Sequence, residues 1–166
     1  MTYSPQQLSD IQSIREVAER YCRGVDRLDE MLMKSAYWPD ATDDHGVYVG
    51  NAYTFVEHCM VSHLRWRSTN HCIMNHHIVL EQDGVSARGE IYNVTYLFQK
   101  DAPILDTWWG RYLDRYEKRG DEWRIIERVC VNEATHTAPI TPMQIDAAAF
   151  RSGSFDRPSA GRRVGP

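Results

Sequence analysis

Asp26 lies near the end of an apolar helical stripe in which Ile11, Ile14, Ala18, Tyr21, Cys22 and Val25 recur at offsets of three and four. A carboxylate on the face that a helix buries costs roughly several kcal/mol if it is left unpaired, so it needs a partner or a chemical task. The residue that could supply both is His71, inside the run from Ser68 to Leu80 that reads as a strand. If the two meet, the carboxylate fixes the imidazole tautomer, stabilises its cation and makes His71 a proton acceptor. Taking a proton from carbon and expelling water or halide needs such a base, a donor or cation for the leaving group, and a dry cavity that strengthens both interactions. Tyr21, Tyr48, Asn75 and Arg128 carry the donors that could serve the leaving group. The other reading of Asp26 and His71 is a structural pair that braces a core.

Those residues must be positioned by elements that the chain signals in outline. Ser4, Pro5 and Gln7 supply an N-cap, a proline at the first helical position and a capping-box partner, which predicts a long helix over residues 5–26. Asp29 is placed to cap a second, short helix through Met31, Leu32 and Ala36 that Trp38-Pro39 ends, since the residue before proline disfavours the helical region. A short strand is expected over residues 46–50, and Asn51 then opens a third helix with Val56, Met60, His63 and Leu64 along one side. Strands are predicted over 69–81, 85–98, 105–117 and 123–132, with hairpin turns at Asp83-Gly84 and Gly120-Asp121. Helices followed by an antiparallel meander give an α+β domain, its helices on one face of a curved sheet, over residues 1–148. Residues 149–166 are too poor in apolar side chains to fold alone and are expected to be flexible or to lie on a neighbouring subunit.

Strand alternation sorts the candidates by face. In a regular strand His71, Ile73, Asn75, His77 and Val79 share one side, which would bring Asn75 into a cavity with His71. Arg128 falls with Arg124, Ile126, Cys130 and Asn132, opposite the more apolar Trp123, Ile125, Val129 and Val131, so the pattern leaves it facing either the cavity or solvent. His76 and His77 point to opposite faces and cannot readily chelate one ion, and no ordered run of oxygen donors follows Asp43-Asp44. His58 and His63, five apart on a helix, suit structural or surface roles. Trp108 and Trp109 should face one inward and one outward. No metal and no organic cofactor is expected.

Composition narrows the function classes. The 166 residues suffice for one domain with a sizeable core, 42% hydrophobic and including five Trp and nine Tyr, which suits an aromatic-lined pocket. A net charge of −4 gives no general attraction to phosphate backbones, so nucleic acid is not expected as a partner. The four cysteines form no Cys-x-x-Cys pair and each falls in an apolar neighbourhood, reading as buried thiols. No leader-like or membrane-spanning stretch is present, so the expected location is the cytoplasm, without membrane association. Apolar Trp and Val residues on the last strands point to self-association through the outer sheet face.

Three stretches carry a family resemblance: Tyr21-Cys22-Arg23-Gly24-Val25-Asp26 closing the first helix, His71 opening a strand, and Tyr116 to Arg124 at a late hairpin. In their order and spacing these resemble the SnoaL-like branch of the nuclear transport factor 2 (NTF2-like) superfamily, across about residues 5–140, and within it the dehydrochlorinase and dehydratase members. The resemblance implies a cone of helices and strongly curved, mixed but mostly antiparallel sheet enclosing a cavity, and a homodimer or homotrimer. It also implies a dyad of a helix-borne Asp and a strand-borne His, falling here on Asp26 and His71. Tyr21 matches a tyrosine suited to bind substrate or leaving group in a bile acid dehydratase, and Arg128 matches a cationic position of the dehydrochlorinase. A second acidic residue of the bile acid enzyme is replaced here by an uncharged one near Thr95. The expected function is a cofactor-independent lyase acting on a small apolar or aromatic substrate. The alternatives are an isomerase of the ketosteroid isomerase type and a non-catalytic binding protein on the same scaffold.

Overall fold

A computed structural model describes residues 2–150. Helix α1 (Pro5–Arg27) begins as its sequence predicts: the Ser4 side chain accepts from the Gln7 backbone and the Gln7 side chain accepts from the Ser4 backbone. Its buried face carries Ile14, Val17, Ala18, Tyr21, Cys22 and Val25. Near its end Gly24 lets α2 (Glu30–Lys34) approach, because a Cβ there would stand 2.6 Å from the Met33 backbone nitrogen. Asp29 caps α2 through the Leu32 amide at 3.0 Å. Helix α3 (Ala52–Ser62) is capped by Asn51, whose side chain accepts from the Tyr53 and Thr54 amides, and a 3₁₀ turn, His63–Arg65, leads from it into the sheet.

Six strands form one sheet in the order β2-β1-β6-β5-β4-β3. They are β1 (Tyr37–Asp44), β2 (Val49–Asn51), β3 (Trp66–Leu80), β4 (Ser86–Gln99), β5 (Ile104–Arg119) and β6 (Glu122–Pro139). Only β1 and β6 pair in parallel; the other neighbours are antiparallel. Sequence places a single strand at residues 46–50, whereas the chain is already extended from Tyr37 and runs through Trp38-Pro39 to Asp44. Proline is admitted there because the pairing of β1 with β6 breaks register between Tyr37 and Thr42. The segment from His45 to Tyr48 is the turn into β2, with His45 donating its amide to the Tyr48 carbonyl.

Register shifts interrupt several of the strand pairings, and two of them, β-bulges on β3 and β6, reset the alternation of the candidate residues. On β3, Ile73 pairs with Asn93 and His76 with Ile91, so one extra residue is accommodated between them. From His71 onward, His71, Ile73, His76, Ile78 and Leu80 are the less exposed members of β3, while Asn75, His77 and Val79 are exposed, which corrects the regular-strand expectation beyond Ile73. On β6, Glu127 pairs with Arg115 but Ile125 with Tyr116, again one residue extra. Trp123 and Ile125 therefore share the buried side with Arg128, and the choice that the pattern left open for Arg128 falls inward.

The core lies between the helices and the concave face of the sheet, where Val17, Tyr21, Val25, Tyr37, Val56, Ile91, Tyr112 and Ile125 are buried. Asp10 ties α1 to the far end of the sheet, accepting from Trp123 Nε1 at 2.8 Å and Lys118 Nζ at 3.0 Å. The convex face exposes Tyr92, Tyr96, Trp109 and Leu113. Among the described residues, no helix is long and apolar enough to cross a membrane. The tail expected at 149–166 lies outside the described residues from 151 onward.

Candidate active site

Asp26 and His71, 45 residues apart, meet where the end of α1 crosses β3. Asp26 Oδ1 lies 2.7 Å from His71 Nδ1 and accepts from Thr69 Oγ1 at 2.8 Å, while Oδ2 accepts from the His71 backbone amide at 2.9 Å. With these three contacts the carboxylate is held by two residues of one strand, and the imidazole orientation follows from the helix position. An ionised carboxylate only accepts, so Nδ1 carries a proton and the other ring nitrogen, Nε2, is the basic one. Both side chains are largely buried, at 14% and 8% exposed.

His71 borders a cavity of about 200 Å³ between α1, α3 and the sheet. Its apolar wall comes from Val25, Phe55, Trp66, Leu97 and Trp108, and its polar groups from Tyr21, His45, His63, Thr95 and Tyr112. Trp108 lines it and Trp109 is exposed on the other side of β5, as alternation predicts. Tyr21 is central: its ring edge faces the His71 ring at 6.5 Å between centroids, and its Oη lies 3.4 Å from His45 Nε2. Burial pushes the Tyr21, Tyr37 and Tyr112 phenols well above their usual range, so each remains a neutral hydroxyl donor.

Arg128 does not border the cavity. It lies behind the tyrosines, its guanidinium 4.2 Å from the Tyr21 ring centre and 4.1 Å from that of Tyr112, with no exposed side-chain surface. Asp114 meets it with two 2.7 Å bonds, to Nε and Nη2, and Tyr116 donates to the same carboxylate at 2.7 Å. Burial disfavours the Arg128 charge, but the Asp114 carboxylate outweighs it and holds the guanidinium well above its usual value. The expected contact of Arg128 with a leaving group is therefore replaced by support of two cavity-lining rings. Asn75 is exposed at the β3 bulge, away from the cavity. Tyr48 also stands off the cavity: it donates to the Asn51 carbonyl at 2.9 Å and packs behind Phe55.

Sequence reasoning missed two cavity histidines. His45 pairs through Nδ1 with Asp43 and stacks on Phe55 at 4.1 Å. Asp43 is buried and also accepts from Tyr37 Oη at 2.6 Å. Spacing carries a signal for the Asp43–His45 pair, since residues two apart at a strand end share a face, but the sequence pattern places the strand further along. His63, read as structural or surface, is turned inward by the 3₁₀ segment and stacks on His71 at 6.2 Å. Its Nδ1 lies 3.1 Å from the Cys59 carbonyl, and burial together with the neighbouring His71 pulls its pKa down to about 4, so it is neutral. The thiols of Cys22, Cys59 and Cys130 are pushed up to about 12 by burial, whereas Cys72 is exposed on the outer face of β3, against the expectation of four buried thiols.

The SnoaL-like domain family matches residues 6–129, and the chain belongs to that family. Among curated proteins none matches it in sequence. Solved structures share its fold at low identity. A scytalone dehydratase-like protein of Novosphingobium aromaticivorans superposes with a TM-score of 0.69 at 15% identity, covering 85% of this chain and 97% of the other. A type 3 hexachlorocyclohexane dehydrochlorinase of Novosphingobium barchaimii gives 0.71 at 16% identity, over 85% and 97%. A protein of unknown function with a cystatin-like fold from Nostoc punctiforme gives 0.62 at 16%, over 80% and 96%. These likenesses show the fold alone, helices packed on one face of a curved, mixed sheet.

Proposed function

We propose that this protein is a cofactor-independent lyase, dehydratase-like in reaction class, that removes a carbon-bound proton from a small apolar or aromatic substrate. His71 Nε2 is the base and Asp26 orients the ring and balances its charge once protonated. The observation that carries this reading is the 2.7 Å Nδ1–carboxylate contact of an imidazole that lines an aromatic cavity. A brace for the core would not need an open space beside it. Tyr21, a neutral donor reaching into the same space, is positioned to bind substrate or leaving group.

The cavity limits the substrate. At about 200 Å³ it is smaller than the roughly 300–1,000 Å³ of typical ligand sites, while about 150 Å³ of apolar space accepts benzene, so one ring or two small fused rings with short substituents fit. The names of two fold neighbours, a dehydrochlorinase and a scytalone dehydratase-like protein, describe eliminations and support the reaction class. The test uses nitrobenzisoxazole, a single-substrate probe whose ring opens when one C–H proton is removed and whose phenolate leaves without acid assistance. The expected result is measurable opening by the unmodified protein that falls about 10²–10⁴-fold in His71→Gln, the usual contribution of a general base. Opening at equal rates by both proteins would refute the assignment.

A further inference from the structure

A second imidazole with its own carboxylate borders the same cavity, and the proton-abstraction step leaves it unused. His45 stands just beyond β1, its Nδ1 paired with Asp43, a side chain with no exposed surface that is itself fixed by Tyr37 Oη at 2.6 Å. The ring is clamped by stacking on Phe55 at 4.1 Å, so both its plane and its tautomer are set. With Nδ1 engaged, Nε2 is the nitrogen turned to the cavity. There its hydrogen-bond partner among the described residues is Tyr21 Oη, at 3.4 Å a long contact that is readily exchanged for a substrate oxygen. A histidine at a turn with no chemical task would not be expected to have a wholly buried carboxylate, a tyrosine behind that carboxylate and an aromatic clamp.

We infer that His45 is the general acid of the elimination, delivering a proton from Nε2 to an oxygen leaving group, and that the substrate class is hydroxylated carbon acids that lose water. This inference rests on the lyase reading above and deepens it. A halide departs as a stable anion and has no use for a proton donor, whereas hydroxide is a poor leaving group that must depart as water. In the reaction His71 Nε2 takes the proton from carbon and the C–H electron pair becomes the new C=C bond. The C–O bond breaks with its pair on oxygen, and that oxygen takes the proton from the His45 cation, whose charge Asp43 balances. The products are an alkene and water. His71 ends protonated and His45 neutral, and one proton returned from His71 to His45 through water restores the site, so no oxidant or reductant is required. Tyr21, which touches both rings, stands where it can hold the departing oxygen between them.

The experiment compares β-hydroxycyclohexanone with its O-acetyl ester. Both lose the same type of proton and give cyclohexenone, read by its ultraviolet absorbance, but acetate leaves without a proton donor. The quantity is the ratio of kcat/KM for the alcohol to that for the ester, which does not depend on how much of a variant is folded. In His45→Gln this ratio is expected to fall about 100-fold, the lower end of general-acid assistance. Asp43→Asn, which keeps the ring and removes the countercharge, should lower it in the same direction. His71→Gln should depress both reactions together. A ratio in His45→Gln equal to that of the unmodified protein, or loss of both reactions in that variant, overturns the acid assignment while leaving the base in place. Retention of both reactions in His71→Gln overturns the base reading instead. Failure of the unmodified protein to act on either compound overturns both.

Discussion

Replacing Asp26 by Asn changes no volume and tests whether the carboxylate, rather than the mere presence of a polar group, makes His71 a base. Asp26 receives three donors: Thr69 Oγ1 and His71 Nδ1 on one oxygen, and the His71 amide on the other. A carboxamide offers one oxygen and one NH₂, so it must turn a donor toward one side of this arrangement. If the NH₂ faces the backbone amide, two donors meet head on. If it faces the imidazole, it forces the tautomer in which Nδ1 accepts and Nε2 carries the proton, and that ring cannot take a proton from substrate. A corresponding Asp to Asn change in a serine protease triad costs about 10⁴ in kcat by the same tautomer switch. We therefore expect nitrobenzisoxazole opening to fall by about 10²–10⁴, equal to about 2.7–5.5 kcal/mol of transition-state stabilisation. Stability should fall less, because hydrogen bonds to a charged group are worth about 1.5–3 kcal/mol and the amide retains part of them. The assay pairs the rate with nitrogen chemical shifts of His71, which separate the two tautomers. Activity within about tenfold of the unmodified protein, or an unchanged tautomer with activity lost, would refute the reasoning.

Two further outcomes follow from the supporting structure. Asp114→Asn leaves the fully buried Arg128 without its countercharge, which should cost about 3–5 kcal/mol and lower the melting temperature by about 6–20 °C, read by calorimetry; a shift under about 3 °C would contradict it. Burial holds His63 and His76 down to about 4 against an ordinary 6.5, so below about pH 6.5 the unfolded chain binds protons that the folded one refuses. Stability is then complete above about pH 7 and declines on acidification, by at most about 3 kcal/mol from His63 across the whole window at about 1.4 kcal/mol per pH unit. Urea midpoints that do not fall between about pH 7 and about pH 5 would show that these rings titrate alike in both states.

The sequence by itself determined the three helices and the four long strands after them, the caps at Ser4, Asp29 and Asn51, the α+β class and the candidacy of Asp26 and His71. Each of these is written locally: a cap is one side chain and three backbone amides, and a lone carboxylate in an apolar helical stripe announces itself within one helix. The tertiary structure alone decided what else surrounds the cavity. A single extra residue on β3 moved Asn75 and His77 out of the series headed by His71, and another on β6 turned Arg128 inward with Trp123 and Ile125. Bulges depend on how a strand meets its partner, which periodicity within one strand does not encode. Likewise His45 gained its place only because β1 runs through a proline beside β6, and Arg128 became a buried support only because Asp114 lies opposite it in the register. Contacts between distant segments depend on that register, and it is fixed only when the whole sheet curves around the helices.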